Sequence, residues 1–284
     1  MRRPLTTRTR IALGVLAFAM LAGMYAWLCV RQKAINPRDT SIPNLVQFGE
    51  GIERMTRARE IVSQTLQPDG SMVEERKLSI WRSWLWTDLR TTFGRLAVGL
   101  MLAVASAVLV GVAMGCFEPL DALLSPPLDF LAKIPPTAML AIFFVAIGVG
   151  FGMFVAMLTF GVFPTLTQSV FNAVKRGVPA ELVDKAFTLG ATRLEVIYQV
   201  LFKHSLPAII EGARMAVGPA MVYLIAAEML FGDSGFGYRI RMQQRLQDMA
   251  VVYVYLIVLG LAGYALDQGF RLALRKVCPW YGRG

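Results

Sequence analysis

The chain has 284 residues, of which 56% are hydrophobic and 17% charged, and its mean hydropathy is +0.53. This composition is too apolar for an ordinary soluble domain and indicates a membrane protein. The net charge of +10 does not require a nucleic-acid partner, because much of the excess flanks apolar runs, as the positive-inside rule describes. With one histidine, three scattered cysteines and no nucleotide-binding glycine loop, the sequence predicts neither catalytic nor metal-binding residues.

The first apolar run extends from Ile11 to Val30 and follows four arginines. It contains no charge and is long enough to cross a hydrocarbon core of about 30 Å. Because no small-residue cleavage site follows it, we expect an uncleaved anchor with a cytoplasmic N-terminus. Residues 31–95 are polar, contain no spanning run and are expected to lie outside, so residues 1–95 form the first predicted unit.

Residues 96–284 are predicted to form a core of five further spans. The predicted spans are Leu96 to Phe117, two spans that share Thr137 to Val174 and part at Gly148 to Gly152, Ile209 to Phe231, and Val251 to Phe270. Gly111 and Gly115 in the first of these have the spacing that allows close helix contact. The expected fold is an all-α membrane protein with about six transmembrane helices and a cytoplasmic C-terminus.

The polar interruption from Lys175 to His204 has an excess of basic residues, which predicts a cytoplasmic loop. Pro179 is placed to open a short helix, and Gly190 to end it in the left-handed conformation. One face of this helix is apolar, formed by Leu182, Val183, Ala186, Phe187 and Leu189. The spacing alone fits either a docking face for a soluble partner or a loop packed on its own bundle.

A second short helix is predicted to follow in the same loop. Thr192 and Glu195 have the spacing of a capping box, which starts a helix. Pro207 is expected to separate this helix from the fifth span.

Residues 178–207 also carry a recognisable order of residues. A triplet reads Asp184-Lys185-Ala186, Gly190 follows after three residues, and Ile197 and Leu206-Pro207 come later. This order resembles the signature loop of type I ATP-binding-cassette importer permeases, in which the triplet is usually Glu-Ala-Ala. The carboxylate is retained in Asp184, whereas Lys185 departs from the first alanine.

Other segments resemble the subfamily that imports nitrate, sulfonates, taurine, bicarbonate and related small solutes. These segments are Phe130 to Pro136, Ala226 to Leu230, Gly235 to Tyr238, and the ending from Leu266 to Trp280. The likeness extends over roughly Thr91 to Trp280.

The resemblance implies a permease subunit, not an enzyme, of an ATP-driven importer in the bacterial inner membrane. It implies two cytoplasmic ATPase subunits that hold ATP and Mg, an extracytoplasmic binding protein and a second permease copy, with no cofactor on this chain. The residues expected to form the ATPase-docking surface are Glu181, Asp184, Lys185, Ala186, Phe187, Leu189, Gly190, Ala191 and Arg193.

Ionisable residues inside predicted spans are costly and are functional candidates by default. Glu228, near the outer end of the fifth span, is expected to serve either as a gate or pathway residue or as a structural bond to a neighbouring helix. Two other sets of charges are expected to pair locally, namely Glu211 with Arg214 and Asp267 with Arg271.

Two other classes of function compete with the importer interpretation. A secondary transporter would place ion-coupling residues near the membrane midplane, and few are available here. A membrane-anchored scaffold could use the cytoplasmic loop without needing six spans.

Overall fold

The computed structural model describes residues 6–36, 40–57, 59–66, 72–79 and 83–281. In chain order the elements are α1 (Thr7–Ile35), α2 (Leu45–Thr56), β1 (Arg59–Leu66), β2 (Met72–Ser79), α3 (Trp84–Cys116), α4 (Glu118–Leu131), α5 (Leu140–Ile147), α6 (Phe151–Lys175), α7 (Ala180–Thr188), α8 (Arg193–Glu195), a π-helical segment (Val196–Phe202), α9 (Lys203–Phe231), α10 (Phe236–Arg245) and α11 (Met249–Val277).

Among the residues that the structure describes, five helices are long and apolar enough to cross a membrane. They are Ala12–Ile35, Trp84–Cys116, Phe151–Lys175, Arg193–Phe231 and Met249–Val277. The predicted all-α membrane fold is confirmed for the bundle. The polar segment before α3 adds the short helix α2 and an antiparallel hairpin of β1 and β2, in which Arg59 pairs with Ser79 and Leu66 with Met72.

Helices α3 and α6 run parallel in close contact and form the centre of the core with α9. A β-carbon on Gly111 would lie 2.8 Å from Val170 Cβ, and one on Gly115 would lie 2.6 Å from Val174 Cγ1. Real β-carbons do not approach other atoms so closely, so both positions require glycine. The predicted close approach at these two glycines is confirmed, and α6 is the partner helix.

Replacing Gly111 by leucine should destabilise the bundle by about 1–3 kcal/mol, because the added side chain overlaps the backbone and side chains of α6. The matched control is Gly94→Leu in the same helix, since a β-carbon there meets no atom within 4 Å. Thermal unfolding in detergent measures both variants. Equal midpoints would contradict the close α3–α6 contact.

The segment between α3 and α6 returns the chain along α6, from Lys175 at its end to at least Phe160. Near the end of α6, Lys175 Nζ lies 2.5 Å from Asp121 of α4. Gln168 Nε2 then donates to Asp129 at 3.0 Å. Farther along, the ring of Phe143 in α5 lies 5.8 Å from that of Phe160. Because α3 and α6 are parallel, α4 and α5 together make the sixth pass.

The predicted division at Gly148 to Gly152 is confirmed, because α5 ends at Ile147 and α6 begins at Phe151. The first of the two predicted spans, which starts at Thr137, is wrong as a full crossing of the membrane. Helix α5 has eight residues and is about 12 Å long, which is too short to cross the hydrocarbon core alone. Pro135 and Pro136 keep the preceding residues from continuing a helix, and Gly148, with a φ of +79°, ends α5. The pass is therefore split, and α4, which lies outside the predicted spans, supplies its first half.

The remaining helices define two ends of the bundle. Helix α9 runs antiparallel to α6, because Ser205 Oγ donates to Ala173 O at 3.0 Å near the end of α6. Tyr223 of α9 lies instead against Gly161. We call the end that carries α7 the α7 end, and the end that carries the α9–α10 turn the α10 end. Helix α11 starts at the α10 end, where Tyr255 contacts α3.

Candidate functional site

Helix α7 lies between α6 and α8 in the chain, packs against the π-helical segment and has no buried residue. Val178 before it is 7% exposed and anchors the chain after α6. Pro179 has extended backbone angles and occupies the N-cap position, one residue before the first turn in which it was predicted. Its fixed φ suits the entry to a helix, so the predicted start at this proline is confirmed to within one residue.

The end of α7 is a tight glycine turn. Gly190 has a φ of +85°. Its N–H donates to Phe187 O at 2.9 Å, and the Ala191 N–H donates to Ala186 O at 3.1 Å. This pair of bonds is the Schellman motif, which satisfies the last carbonyl groups of a helix. The predicted helix end at Gly190 is confirmed.

The next helix starts at the predicted capping box. The Thr192 N–H donates to Glu195 Oε2 at 2.8 Å, and the Glu195 N–H donates to Thr192 Oγ1 at 3.4 Å. Four residues therefore separate the end of α7 from the start of α8. Both ends of this connection are fixed by hydrogen bonds.

The predicted break at Pro207 is wrong. The helix continues from Arg193 to Phe231, with a wide π-helical segment at Val196–Phe202 before it enters the bundle as α9. Proline is tolerated inside membrane helices where neighbouring groups compensate for the lost backbone bond. Here Pro207 is buried, and Ser205 next to it bonds to α6. Packing on α6 therefore keeps the helix continuous.

The predicted apolar face of α7 lies open. Leu182 is 40% exposed, Phe187 46% and Leu189 88%, and no residue of α7 is buried. The helix lies against the π-helical segment and leaves these side chains accessible. A cluster of exposed large apolar side chains on an amphipathic helix is typical of an interaction surface.

The predicted charged residues surround this apolar face. Glu181, Asp184, Lys185 and Arg193 are all exposed, and Ala186 and Ala191 are half-buried. Within the part of the chain that the structure describes, the side chains of Asp184 and Lys185 make no ion pair. Thus all nine predicted docking residues lie in one accessible segment, formed by α7, the Gly190 turn and the start of α8.

Glu228 lies in a buried polar cluster at the α10 end and is fully buried. Its carboxylate accepts from Arg95 Nη1 at 2.9 Å, from Thr92 Oγ1 at 2.9 Å and from the Gly237 N–H at 3.1 Å. The guanidinium of Arg95 also lies 4.0 Å from the centre of the Phe154 ring. These bonds favour the structural alternative for Glu228, and its role as a gate or pathway residue stays a prediction.

Asp88 forms the second half of this cluster and is also fully buried. Its carboxylate accepts from the Gly235 N–H at 3.0 Å, from Arg239 Nε at 2.8 Å and from the Tyr255 hydroxyl at 2.8 Å. Asp88 was not predicted as a site residue. The helical spacing of Asp88, Thr92 and Arg95 on α3 is the signal that could have revealed a shared polar face.

Two glycines allow the α9–α10 turn to close over Glu228. Gly235 has a φ of +105°, and a β-carbon there would lie 2.5 Å from Glu228 Oε1. A β-carbon on Gly237 would overlap Ile225 O and lie 2.6 Å from Glu228 Cβ. The glycines in the segment from Gly235 to Tyr238 thus permit direct contact between backbone N–H groups and the buried carboxylates.

Asp233 lies at the edge of the buried polar cluster and is exposed. Its carboxylate lies 3.5 Å from Arg95 Nη2 and is 84% exposed. A hydrogen bond from the Ser234 hydroxyl, helped by the nearby Arg95 charge, lowers the pKa of the Asp233 carboxyl.

The two local charge pairs predicted in the spans are present. Arg214 pairs with Glu211, and Arg271 Nε bonds to Asp267 Oδ2 at 2.9 Å. Arg214 Nη1 also lies 3.1 Å from Asp267, which joins α9 to α11. The pairs therefore form one network, a feature that local spacing did not predict.

The sequence profile of the family described as "binding-protein-dependent transport system inner membrane component" matches residues 96–277. The chain belongs to this family. The match includes α7, the π-helical segment and the Glu228 cluster except for its residues at the start of α3.

Relatives of this family member agree with the assignment. An ABC transporter permease protein of Methanocaldococcus jannaschii is 33% identical over 187 residues, which cover 66% of this chain and 70% of the relative. The taurine transport system permease protein of Escherichia coli is 26% identical over 229 residues, which cover 78% of this chain and 83% of the relative.

A solved structure has the same fold. A chain of the MetNI methionine ABC transporter in an inward-facing conformation superposes with a TM-score of 0.60, covering 68% of this family member and 97% of that chain. The two sequences are 20% identical, so the similarity is one of fold.

Proposed function

We propose that this chain is the membrane permease subunit of an ATP-driven importer, in which α7 docks on a cytoplasmic ATPase and transmits its closure to the spans. The observation that carries this proposal is the exposed apolar face of α7, formed around Leu182, Phe187 and Leu189, on a helix fixed at both ends. Asp184 retains a carboxylate beside this face. It can pair with a basic group of the ATPase.

The connections of α7 suit the transmission of force. Gly190 and the capping box at Thr192 join it to the helix that runs from Arg193 to Phe231, about 60 Å long. This helix and α6 pack in the same apolar core. A displacement of α7 therefore moves both spans, and it couples to ATP only if the docking contact differs between ATPase states.

The charge distribution supports a cytoplasmic position for the α7 end. The chain between Lys175 and His204 has an excess of basic residues, and the C-terminal Trp280 lies at this same end, close to Leu182. Tyr25 in the second half of α1 contacts Tyr253 at the α10 end, so a membrane-crossing α1 would return the N-terminus to the α7 end. We place both termini in the cytoplasm of a bacterial cell, and the chain in its inner membrane.

The substrate class we propose is a small anion or zwitterion, such as taurine or another sulfonate, nitrate or bicarbonate. The similarity to the taurine permease over 78% of this chain supports it. An extracytoplasmic binding protein would deliver the substrate, and a second permease copy would complete the route. Two ATPase subunits would hold ATP and Mg, so this chain would perform no catalysis.

The test is reconstitution of the chain with its ATPase and binding protein in liposomes. Uptake of labelled taurine into the liposomes and ATP hydrolysis are measured in the same preparation. We expect uptake that requires ATP. Flux driven by an ion gradient alone would favour a secondary transporter, and tight ATPase binding without flux would favour a scaffold.

A variant pair tests the docking face itself. Phe187→Ser should weaken ATPase binding and reduce ATP-driven uptake, because it removes an exposed apolar side chain from α7. Leu246→Ser is the matched control, since Leu246 is an exposed apolar residue at the α10 end. Co-purification of the ATPase measures both. Equal retention of the ATPase by the two variants would contradict docking at α7.

A further inference from the structure

The C-terminal turn brings an exposed tryptophan beside α7. Helix α11 ends at Val277, Cys278 is 1% exposed, and the Tyr281 N–H donates to Cys278 O at 3.0 Å. This turn holds Trp280 at the wall of a groove of about 390 Å³. The groove is lined by Leu182, Gln199, Val200, Lys203, His204 and Trp280.

The groove combines apolar walls with positive charge. Leu182 is 40% exposed and Trp280 54%, and both present large apolar surfaces. Lys203, on the first turn of α9, also lines the groove, and its ammonium lies 5.4 Å from the centre of the Tyr198 ring. Arg275 and Lys276 lie in the last turn of α11, shortly before Trp280 in the chain, but do not line the groove. An apolar side chain flanked by carboxylates would complement this surface.

The groove is continuous with the exposed face of α7, because Leu182 belongs to both. A protein seated on α7 would therefore cover the mouth of the groove. Tryptophan is also among the residues that contribute most to binding energy when a partner buries them.

We propose that the groove between α7, the π-helical segment and Trp280 is a second docking contact for the ATPase subunit, which inserts an apolar side chain next to acidic residues. This inference rests on the proposed function and extends it from the coupling loop to the C-terminus. Trp280 lies far from α7 in the sequence and contacts the ATPase beside it. The docking surface is therefore formed by two separate segments of the chain.

Site-specific photo-crosslinking in the assembled transporter tests the contact. Trp280 is replaced by p-benzoylphenylalanine, and the same substitution at Tyr281 is the matched control. Tyr281 is 58% exposed but does not line the groove. We expect an ATPase adduct from position 280 and little from position 281. Adducts with phospholipid alone would show that Trp280 lies in the headgroup layer, as tryptophan often does, and would overturn the proposal.

Binding of the ATPase to the purified permease gives a second measurement. Trp280→Ala should raise the Kd at least about tenfold, whereas Tyr281→Ala should leave it within about twofold. Equal Kd values for wild type and Trp280→Ala, without a crosslink, would overturn this inference alone. If the wild-type chain bound no ATPase, the proposed function itself would fail.

Discussion

Replacing Gly190 by valine is expected to reduce ATP-driven uptake at least about tenfold while ATP hydrolysis by the docked ATPase continues. Gly190 has a φ of +85°, a conformation that costs an L-residue about 1–2 kcal/mol and a β-branched residue more. A β-carbon at this position meets no atom within 4 Å, so the effect arises from the backbone and not from a clash. Loss of the Schellman bonds to Ala186 and Phe187 would let α7 change its angle to α8.

The matched control for this experiment is Gly190→Asn, because asparagine adopts the left-handed conformation more readily than valine does. We expect it to retain most of the uptake. The two variants are compared in liposomes by uptake and by ATP hydrolysis per transported molecule. Coupled uptake at the wild-type rate by the valine variant would contradict the assignment of Gly190 to the coupling turn.

Removing the charge of Arg95 is expected to be the most destabilising single change, with a loss of about 3–5 kcal/mol in Arg95→Met. The carboxylate of Glu228 is fully buried, and Arg95 is its cationic partner at 2.9 Å. Without Arg95, a buried negative charge is left with only the neutral donors Thr92 and Gly237. Thermal unfolding in detergent measures the change.

A double variant separates the lost charge from the lost side chain. Arg95→Met combined with Glu228→Gln should recover part of the stability, since the neutral amide still accepts the bonds from Thr92 and Gly237. Arg57→Met is the surface control, because Arg57 pairs with Glu53 at 3.9 Å with both side chains mostly exposed. That variant should lose no more than about 1 kcal/mol.

The double variant and the single variant Glu228→Gln together discriminate between the two roles considered for Glu228. If Glu228 is a structural bond, the double variant recovers transport together with stability. If it lies on the pathway, Glu228→Gln changes substrate affinity or rate while the unfolding midpoint stays near that of wild type. A stable Arg95→Met protein would contradict the assignment of this ion pair to the stability of the α10 end.

Local features of the loop could be predicted because they depend on neighbouring residues. Gly190, Thr192 and Glu195 fix their hydrogen bonds within a few positions along the chain, so their types and spacing specify a helix end and a helix start. The apolar face of α7 follows from helical geometry in the same way. Its exposure could not be predicted, because it depends on which elements pack nearby.

The Asp88 cluster shows the opposite case. Asp88 is separated from Arg239 by 151 positions and from Tyr255 by 167, so no local window contains the bonds between them. A hydropathy average counts the polar residues at the start of α3 against a membrane span. In the folded bundle these residues are buried against α9, α10 and α11, so α3 begins at Trp84 and not at Leu96.

The sequence by itself determined the membrane class, the approximate spans and the short helix that ends at Gly190, because hydropathy and capping act through nearby residues. Only the tertiary structure decided that α4 and α5 share one pass, that the helix continues through Pro207 and that Glu228 binds Arg95. It also placed Trp280 beside Leu182. Each of these features depends on packing between segments that are distant in the sequence. The hydrogen bonds and steric contacts between such segments cannot be inferred from the conformational preferences of neighbouring residues.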